Sequence, residues 1–447
     1  MATVTDQQDL KALCLEHFAQ VEEKNSPQSQ SALQQQRRAA MEAFQALDFP
    51  TTKHEEWKYT NVAPLLKTPY DLKQNEAVSS MLGEERQQLF DIPEANVLVF
   101  VNGNYEAHLS RILSPVHELT LLNLASAEEK NEPALYEHFG KLADAEHNAF
   151  TALNTGFSQQ GAYFYVPKGQ EVERPIIIHY VSDAKRGPVL SNPRNLFVVG
   201  ANSRVQVIEN FVTLGDQPAF DNAVTEIYVS EGAFVDYYKL QNCAPAASHV
   251  GTTQVHQERN SHFDSFMITL QGQLIRNDLN IVLDGEGCEG HMYGLYLQKG
   301  KTHVDNHTLV DHRKPNSFSN ELYKGILDDR ATGVFNGKIY VRQDAQKTNA
   351  FQSNRNILLS EEATINTKPQ LEIWADDVKC SHGATTGQLD EEALFYLRAR
   401  GLGEGQAKAM LMHAFASDVV DKVRIEPLRN YLEQLITERL EGSASQD

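Results

Sequence analysis

Cys380 and His382 are the residues of this sequence whose types and spacing most readily suggest chemistry. They stand two positions apart at the end of a strand-like run, shortly before a predicted helix. Side chains at positions i and i+2 of a strand lie on one face, roughly 6 to 7 Å apart. The thiol and the imidazole would therefore face a common space. Both are ligand types for iron and zinc, but two ligands do not complete a metal site, so the others would come from elsewhere.

The same pair also fits a purely structural role. Val378, Cys380, His382 and Ala384 share one parity along the strand-like run, so they could form an apolar wall. A buried free cysteine usually behaves as a small hydrophobic residue, and a single histidine is often a hydrogen-bonded core residue. Spacing alone favours this structural interpretation.

A second candidate site is a histidine-rich run. Seven of the sixteen histidines lie between His249 and His312, and the run from His303 to Asp311 includes Asp305 and His307. In a strand, His303, Asp305 and His307 would share one face. Such a ladder could bind a divalent metal or supply a general base to a β-helix enzyme acting on polysaccharide. We favour the simpler hypothesis of a hydrogen-bonded polar ladder.

Several catalytic motifs are missing from the sequence. It has no GxxxxGK[ST], which argues against nucleotide binding through a P-loop, and no GxSxG or HExxH. Its four cysteines are scattered and form no CxxC, so a self-contained zinc or cluster cage is not expected.

The composition limits the cellular compartments and the binding partners that we expect for this protein. The 447 residues carry a formal net charge of −20, which disfavours nucleic acid and anionic membrane surfaces as partners. No run approaches the roughly 20 apolar residues of a membrane span, and no signal peptide is recognised at the N-terminus. Four unclustered cysteines fit a reducing compartment, so we expect a cytoplasmic protein.

The sequence divides into five segments with different predicted secondary structure. Residues 1–90 are predicted to be helical, and residues 91–160 mixed, with one helix from Glu132 to Phe157. Residues 161–385 form the core. Residues 386–441 are predicted to be helical, with Asp390 as an N-cap and Gly401 as a stop. Residues 442–447 are expected to be a disordered tail.

The core segment is internally repetitive. Short runs rich in Val, Ile, Tyr and Phe alternate with turns of Gly, Asn, Asp and Ser, as in IYVSEGAFVDYYKL and IVLDGEGCEGHMYGLYL. Degenerate self-similarity of this kind is typical of a solenoid. We therefore predict a mainly β fold with a parallel β-helix core flanked by N-terminal and C-terminal α-helical regions. A large antiparallel sandwich is the alternative.

Three segments resemble the SufD branch of the SufB/SufD family of the Suf iron–sulfur cluster assembly scaffold. They are DDVKCSHGATTG with LDEEALFYLRARGL, HEEWKYTNVAPLL (His54–Leu66), and GVFNGKIYVRQDAQKTNAFQSNRNILLS (Gly333–Ser360). Where this chain has SHGAT, the SufB branch carries an EHEAT-like run. The resemblance covers essentially the whole chain and implies a right-handed β-helix.

The resemblance also implies a function. The chain would be a non-catalytic scaffold subunit that pairs with SufB through the end of its β-helix, or with itself when alone. His382 would be an iron ligand at that interface, and Cys380 a less certain contributor. A transient iron ion or iron–sulfur cluster would form there, with no cofactor bound tightly to the isolated chain. The SufC ATPase would dock on the C-terminal helices.

Two rival hypotheses remain at this stage. One is a purely structural partner of SufB in which Cys380 and His382 are both inert. The other is a β-helix carbohydrate-active enzyme that uses the His303 to Asp311 ladder, for which an export signal would be expected.

Overall fold

A two-sheet parallel solenoid forms the body of the protein in the computed structural model, which describes residues 10–24, 31–72, 86 and 89–444. The strands are β1 Asn96–Val101, β2 Asn104–Tyr105, β3 Thr120–Asn123, β4 Ala162–Val166, β5 Ile176–Asp183, β6 Val189–Ser191, β7 Arg194–Val199, β8 Arg204–Leu214, β9 Ala219–Val229, β10 Phe234–Asn242, β11 Ala247–Gln257, β12 His262–Gln271, β13 Leu274–Leu283, β14 Glu289–Gln298, β15 His303–His312, β16 Phe318–Leu327, β17 Thr332–Val341, β18 Thr348–Leu358, β19 Thr364–Ile373 and β20 Val378–Gly387.

From β7 onward, successive strands alternate between two ten-membered sets, and this alternation creates the coil. Sheet A has the order β2-β1-β5-β8-β10-β12-β14-β16-β18-β20. Sheet B has the order β19-β17-β15-β13-β11-β9-β7-β4-β3, with β6 also paired to β9. All pairs are parallel except β1 with β2 and β3 with β4, which are antiparallel. The predicted parallel solenoid, of about eight turns, is therefore confirmed, the antiparallel sandwich is wrong, and the hand of the coil stays a prediction.

The core of the solenoid lies between the two sheets. Alternate residues of each strand point inward, so side chains such as Val235, Phe263 and Phe335 stack in one continuous apolar column. Asn residues with positive φ, including Asn202 and Asn260, form tight turns between strands. They correspond to the Gly- and Asn-containing turns between strands that the sequence predicts.

The N-terminal helices pack on the outer face of sheet B. They are α1 Leu10–Lys24, α2 Ala32–Ala46, α3 Ala63–Leu66, α4 Leu124–Glu129, α5 Pro133–His138 and α6 Ala149–Gly156, with a single 3-10 turn at Glu55–Trp57. Phe44, Trp57 and Phe150 form one buried cluster with Phe220 and Val250 of sheet B. The apolar positions of these helices are therefore buried against the solenoid.

The single helix predicted from Glu132 to Phe157 is wrong, because the chain forms α5 and α6 with an irregular loop between them. The buried Glu226 carboxylate accepts hydrogen bonds from the backbone amides of Gly140, Leu142 and Ala143 at 2.7 to 3.0 Å. A buried anion needs such donors, and helical geometry would not supply them there.

The C-terminal helices are α7 Glu391–Ala399, α8 Glu404–Val420 and α9 Glu426–Ala444. The Asp390 side chain caps α7, and Gly401 takes a φ of 94°, as the sequence predicts for an N-cap and a stop. The last helix extends to Ala444, into the stretch predicted as a tail, and residues 445–447 lie outside the described residues. No helix in the described part of the chain is long and apolar enough to cross a bilayer.

Helices α8 and α9 cover the outer face of sheet A. Met412 and Val419 share an apolar cluster with Phe266 and Leu295, which lie on sheet A strands. Lys324 Nζ donates to the Phe415 carbonyl oxygen at 2.8 Å and pairs with Asp418 on α8. These contacts direct the helices back along the solenoid rather than over its last coil.

Candidate functional site

The last coil of the solenoid is formed by β19 and β20. Each strand stands at the end of its sheet: β20 pairs with β18, β19 pairs with β17, and within the described chain neither has a second strand beside it. Most residues of β20 are exposed. An uncovered edge strand presents unpaired backbone donors and acceptors, so this end of the solenoid is open to pairing.

Cys380 lies on the inner side of this open coil. It stands opposite Ala350 on β18 and packs against a small apolar cluster that contains Ile339 and Val341. Its thiol is free and half-buried. Burial raises the pKa of Cys380, and a hydrogen bond with the Ala350 backbone only partly opposes this effect. A thiol held in its protonated form is a poor nucleophile in the isolated chain.

His382 occupies the next inward position of β20. Its register partner on β18 is Gln352, and its side chain is exposed. Across the residues that the structure describes, no hydrogen bond or ion pair joins the His382 imidazole to another side chain. The ring nitrogens are therefore available to an incoming ligand.

Two buried polar residues lie inside the solenoid below His382: Gln352 is one coil away and Glu321 is two coils away. Gln352 Nε2 donates to Glu321 Oε2 at 3.1 Å, and Thr308 Oγ1 donates to the same oxygen at 2.8 Å. Gly337 leaves room for the Gln352 amide, because a Cβ at that position would collide with it. Oε1 of Glu321 and Oε1 of Gln352 have no hydrogen-bond partner among the described residues. Burial raises the pKa of Glu321 to about 7.

The structure thus brings Cys380 and His382 to the same side of one strand, at an end that the helices leave uncovered. Helix α7, which follows β20, buries none of its residues. Its side chain Phe395 is 74% exposed. The pair is incomplete as a metal site within one chain, and its role in catalysis or binding stays a prediction.

The His303 ladder is covered by the N-terminal segment. Thr60 Oγ1 lies 2.8 Å from His303 Nε2 and donates to Asp305 Oδ2 at 2.5 Å. Glu56 Oε2 lies 3.5 Å from His307 Nδ1. The segment that carries Glu56 and Thr60 is the HEEWKYT stretch of the sequence, so two separate sequence features form one contact.

Arg276 is the centre of this contact. Its guanidinium lies 3.7 Å from the centroid of the Trp57 ring and pairs with Asp278 and Asp305 at 2.8 and 2.7 Å. It also donates to the Glu56 carbonyl oxygen at 2.7 Å. A desolvated cation over a tryptophan face is a strong form of cation–π contact.

The charges of the ladder are set by its own members. Burial alone would raise the pKa of Asp305, but the charges of His307 and Arg276 outweigh it and the pKa is lowered. Burial alone would lower the pKa of His307, but the charge of Asp305 outweighs it and the pKa is raised. Asp305 and His307 are therefore an ion pair, 3.0 Å apart, rather than a free acid and base.

A cleft of about 380 Å³ adjoins the ladder. Glu56 and Trp57 form part of its wall, together with Arg276 and His307. The charged groups of the ladder that border the cleft, Glu56, Arg276 and His307, are already joined to one another or to Asp305. This geometry favours the hydrogen-bonded ladder over a catalytic centre.

Gln352 and Glu321 were missed in the sequence. They stand 30 and 61 positions before His382, which is one and two coils of the solenoid. The signal that could have found them is the coil length, since residues one coil apart become neighbours. The repeat is too irregular for that length to be measured from the sequence.

Comparison with known proteins is consistent with this geometry. Residues 180–415 match the family described as SUF system FeS cluster assembly, SufBD core domain, and residues 8–178 match the SufBD protein N-terminal region. The chain is 31% identical over 428 residues to the iron–sulfur cluster assembly protein SufD of Escherichia coli (strain K12), covering 94% of each chain. It is 31% identical over 417 residues to an iron–sulfur cluster assembly SufBD family protein of Synechocystis, covering 91% of each.

A protein named SufB is also similar to this chain. The iron–sulfur cluster assembly protein SufB of Bacillus subtilis is 26% identical over 371 residues, which is 80% of this chain and 79% of that protein. The two family matches together span the N-terminal helices, the solenoid and the C-terminal region as far as residue 415 in α8. The predicted resemblance is confirmed, and this chain belongs to the SufBD family of SUF-system iron–sulfur cluster assembly proteins.

Proposed function

We propose that this chain is a non-catalytic scaffold subunit that builds an iron–sulfur cluster at its interface with a SufB-type chain. The observation that carries the proposal is the open last coil, where Cys380 and His382 share one side of an edge strand. Strand edges of this kind pair with other strands. A second solenoid of similar construction would cover the end and supply the missing ligands.

His382 is the residue to which we assign the principal role, as an iron ligand. Its imidazole is exposed and unengaged, and neutral imidazole is a good ligand for iron. Cys380 has a supporting role at most, because burial holds its thiol protonated until a metal or a cationic group displaces the proton. The iron and the cluster are cargo, and the isolated chain holds neither tightly.

The C-terminal helices are proposed to receive the SufC ATPase. Support comes from α7, which buries none of its residues and exposes Phe395 and Tyr396, and from Met410, which is exposed on α8. Exposed aromatic side chains on one short helical unit are typical of interaction surfaces. None of the four cysteines, all of which lie among the described residues, is in a disulfide, which supports a reducing compartment such as the cytoplasm. In the absence of SufB, the same open end would pair with a second copy of this chain.

Capture of a SufB-type chain by variants of β20 tests the proposed interface. Ala384 lies on the inner side, beside the buried Asn354, and Thr385 lies on the opposite side, beside the exposed Arg355. Ala384→Lys places a charge inside the closed interface and is expected to abolish co-purification of SufB. Thr385→Lys is the matched control and is expected to retain it.

The result that contradicts the proposal is equally specific. If the Ala384→Lys protein is folded by circular dichroism and captures SufB as well as the unchanged chain does, the open end is not the interface.

A further inference from the structure

A compact group of potential metal ligands lies on the outer face of sheet A, far from the open coil. One ligand atom from each of His262, Asp264 and His291 lies within 4.8 Å of the others. His262 and Asp264 are two positions apart on β12, and Asp264 is the register partner of His291 on β14. The pleat of the sheet therefore holds all three on one face.

The Asp264 carboxylate and the His262 ring lie close together within this group. Asp264 is only 2% exposed. Its Oδ1 lies 2.8 Å from His262 Nε2, yet both atoms are buried without a partner of hydrogen-bond geometry among the described residues. Metal–ligand bonds of about 2.0 to 2.2 Å place neighbouring ligand atoms roughly 3 Å apart. The separation fits two ligands of one ion as well as it fits a strained ion pair.

The surroundings hold the His262 ring in a suitable orientation. Glu289 Oε2 lies 3.3 Å from His262 Nδ1, on the other side of the ring from Asp264. A carboxylate that accepts from Nδ1–H leaves Nε2 free to bind a metal, which is the usual arrangement behind a metal-binding histidine. Phe234 stacks on His262 with ring centroids 5.6 Å apart, and Phe318 lies 5.4 Å from the His291 ring.

Arg424 competes with an ion for the Asp264 carboxylate. It lies in the turn between α8 and α9 and pairs with Asp264 Oδ2 and with Asp236. Because it uses Oδ2, it leaves Oδ1 facing His262. Asp264 can therefore bridge the helical layer and a bound cation.

We propose that His262, Asp264 and His291 bind one divalent ion of the first transition series, such as Fe²⁺, Co²⁺ or Zn²⁺. Two imidazoles and one carboxylate suit these ions and not Mg²⁺ or Ca²⁺, which prefer oxygen ligands. The site is separate from the proposed cluster interface.

Cobalt titration of the full-length chain tests the site. The protein carries Cys380→Ala and His382→Ala, so that the open coil contributes no ligand and failure of the proposed function leaves the result unaffected. Co²⁺ is followed by its visible d–d absorption and by equilibrium dialysis. We expect one Co²⁺ per chain, with affinity at least about tenfold weaker in His262→Ala and in His291→Ala.

His256→Ala is the matched control, because His256 Nε2 lies 3.3 Å from Asp284 in a pair to which the described residues add no third ligand. It is expected to bind Co²⁺ as the background protein does. If an alanine variant does not fold, His262→Gln and His291→Gln retain side-chain volume and must show the same loss. The proposal is overturned if the His262 and His291 variants bind Co²⁺ with the same affinity as the background protein, or if the background protein shows no Co²⁺ absorption. Either result leaves an ordinary ion pair.

Discussion

His307 Nδ1 lies 3.5 Å from Glu56 Oε2, across 251 positions of the sequence. The contact joins the N-terminal segment to the outer face of the solenoid, beside the Lys338 Nζ that also reaches Glu56, at 2.5 Å. The histidine ladder therefore serves as the dock for that segment. This explains why its acids and bases are already paired.

Glu56→Gln is expected to weaken this dock in a pH-dependent way. The hydrogen bond with His307, assisted by Lys338, lowers the pKa of Glu56 to about 2. A lowered pKa stabilises the folded state above the unfolded value near 4.5, and this stability is lost as the pH falls through 2. Glu56 is 44% exposed, so solvent screening limits the loss of unfolding free energy in Glu56→Gln at pH 7 to about 1 kcal/mol.

Urea unfolding at several pH values measures that difference. The gap in unfolding free energy between the unchanged chain and Glu56→Gln is expected to shrink from pH 5 towards pH 2. Glu94→Gln is the control, since Glu94 is solvent-exposed and lies outside this contact, and it is expected to show no measurable loss. A gap that stays constant with pH would mean that the carboxylate charge contributes nothing.

Trp57→Ala is expected to destabilise the protein by about 3 to 5 kcal/mol, the usual range for removing a large buried aromatic side chain. Trp57 stacks on Phe150 with ring centroids 5.5 Å apart, and it covers Arg276, whose charge would lose its aromatic partner. Chemical denaturation followed by circular dichroism measures the change. Tyr59→Ala removes a neighbouring ring that is 43% exposed, and its effect is expected to be below about 1 kcal/mol.

The fold could be predicted because the apolar alternation and the turn residues of the core both favour the same structure. Alternating apolar residues and Asn or Gly turns recur along the core, and they produce strands and tight corners wherever they occur. Local signals were also sufficient at the C-terminal helices, where Asp390 caps and Gly401 ends α7. In these places a short stretch of chain determines its own conformation.

The failures come from partners distant in sequence. The loop between α5 and α6 takes its shape from hydrogen bonds to the Glu226 carboxylate, which is more than 80 positions away. No local sequence pattern predicts this contact. The neighbours of His382 depend on strand register, and a shift of one residue would replace Gln352 by a residue of the opposite face. The residue types and their spacing identify the Cys380–His382 pair in the sequence. Its neighbours can be identified only from the three-dimensional coil, because they come from other strands.

Glu321→Gln is expected to stabilise the protein above neutral pH. Burial raises the pKa of Glu321 to about 7, so its protonated form is favoured in the folded state. The folded state is fully stabilised below the unfolded pKa near 4.5, and that stability is lost as the pH rises through 7. The neutral amide avoids this loss, which is at most about 3 kcal/mol at pH 8.

Thermal unfolding of both proteins between pH 5 and pH 8.5 checks this expectation. The unchanged chain should lose stability relative to Glu321→Gln as the pH rises, whereas the exposed Glu362→Gln control should track the unchanged chain. A constant difference across this range would show that Glu321 does not titrate there.

Cluster formation by the reconstituted complex of this chain with SufB and SufC is the most direct measurement of the central claim, that the open coil becomes a cluster site when a sister chain closes it. His382→Ala is compared with His117→Ala, which removes a histidine that is 76% exposed at the other end of the solenoid. We expect both complexes to assemble, His117→Ala to form the cluster normally, and His382→Ala to lose most of the iron–sulfur absorbance. Full cluster formation by an assembled His382→Ala complex would contradict it.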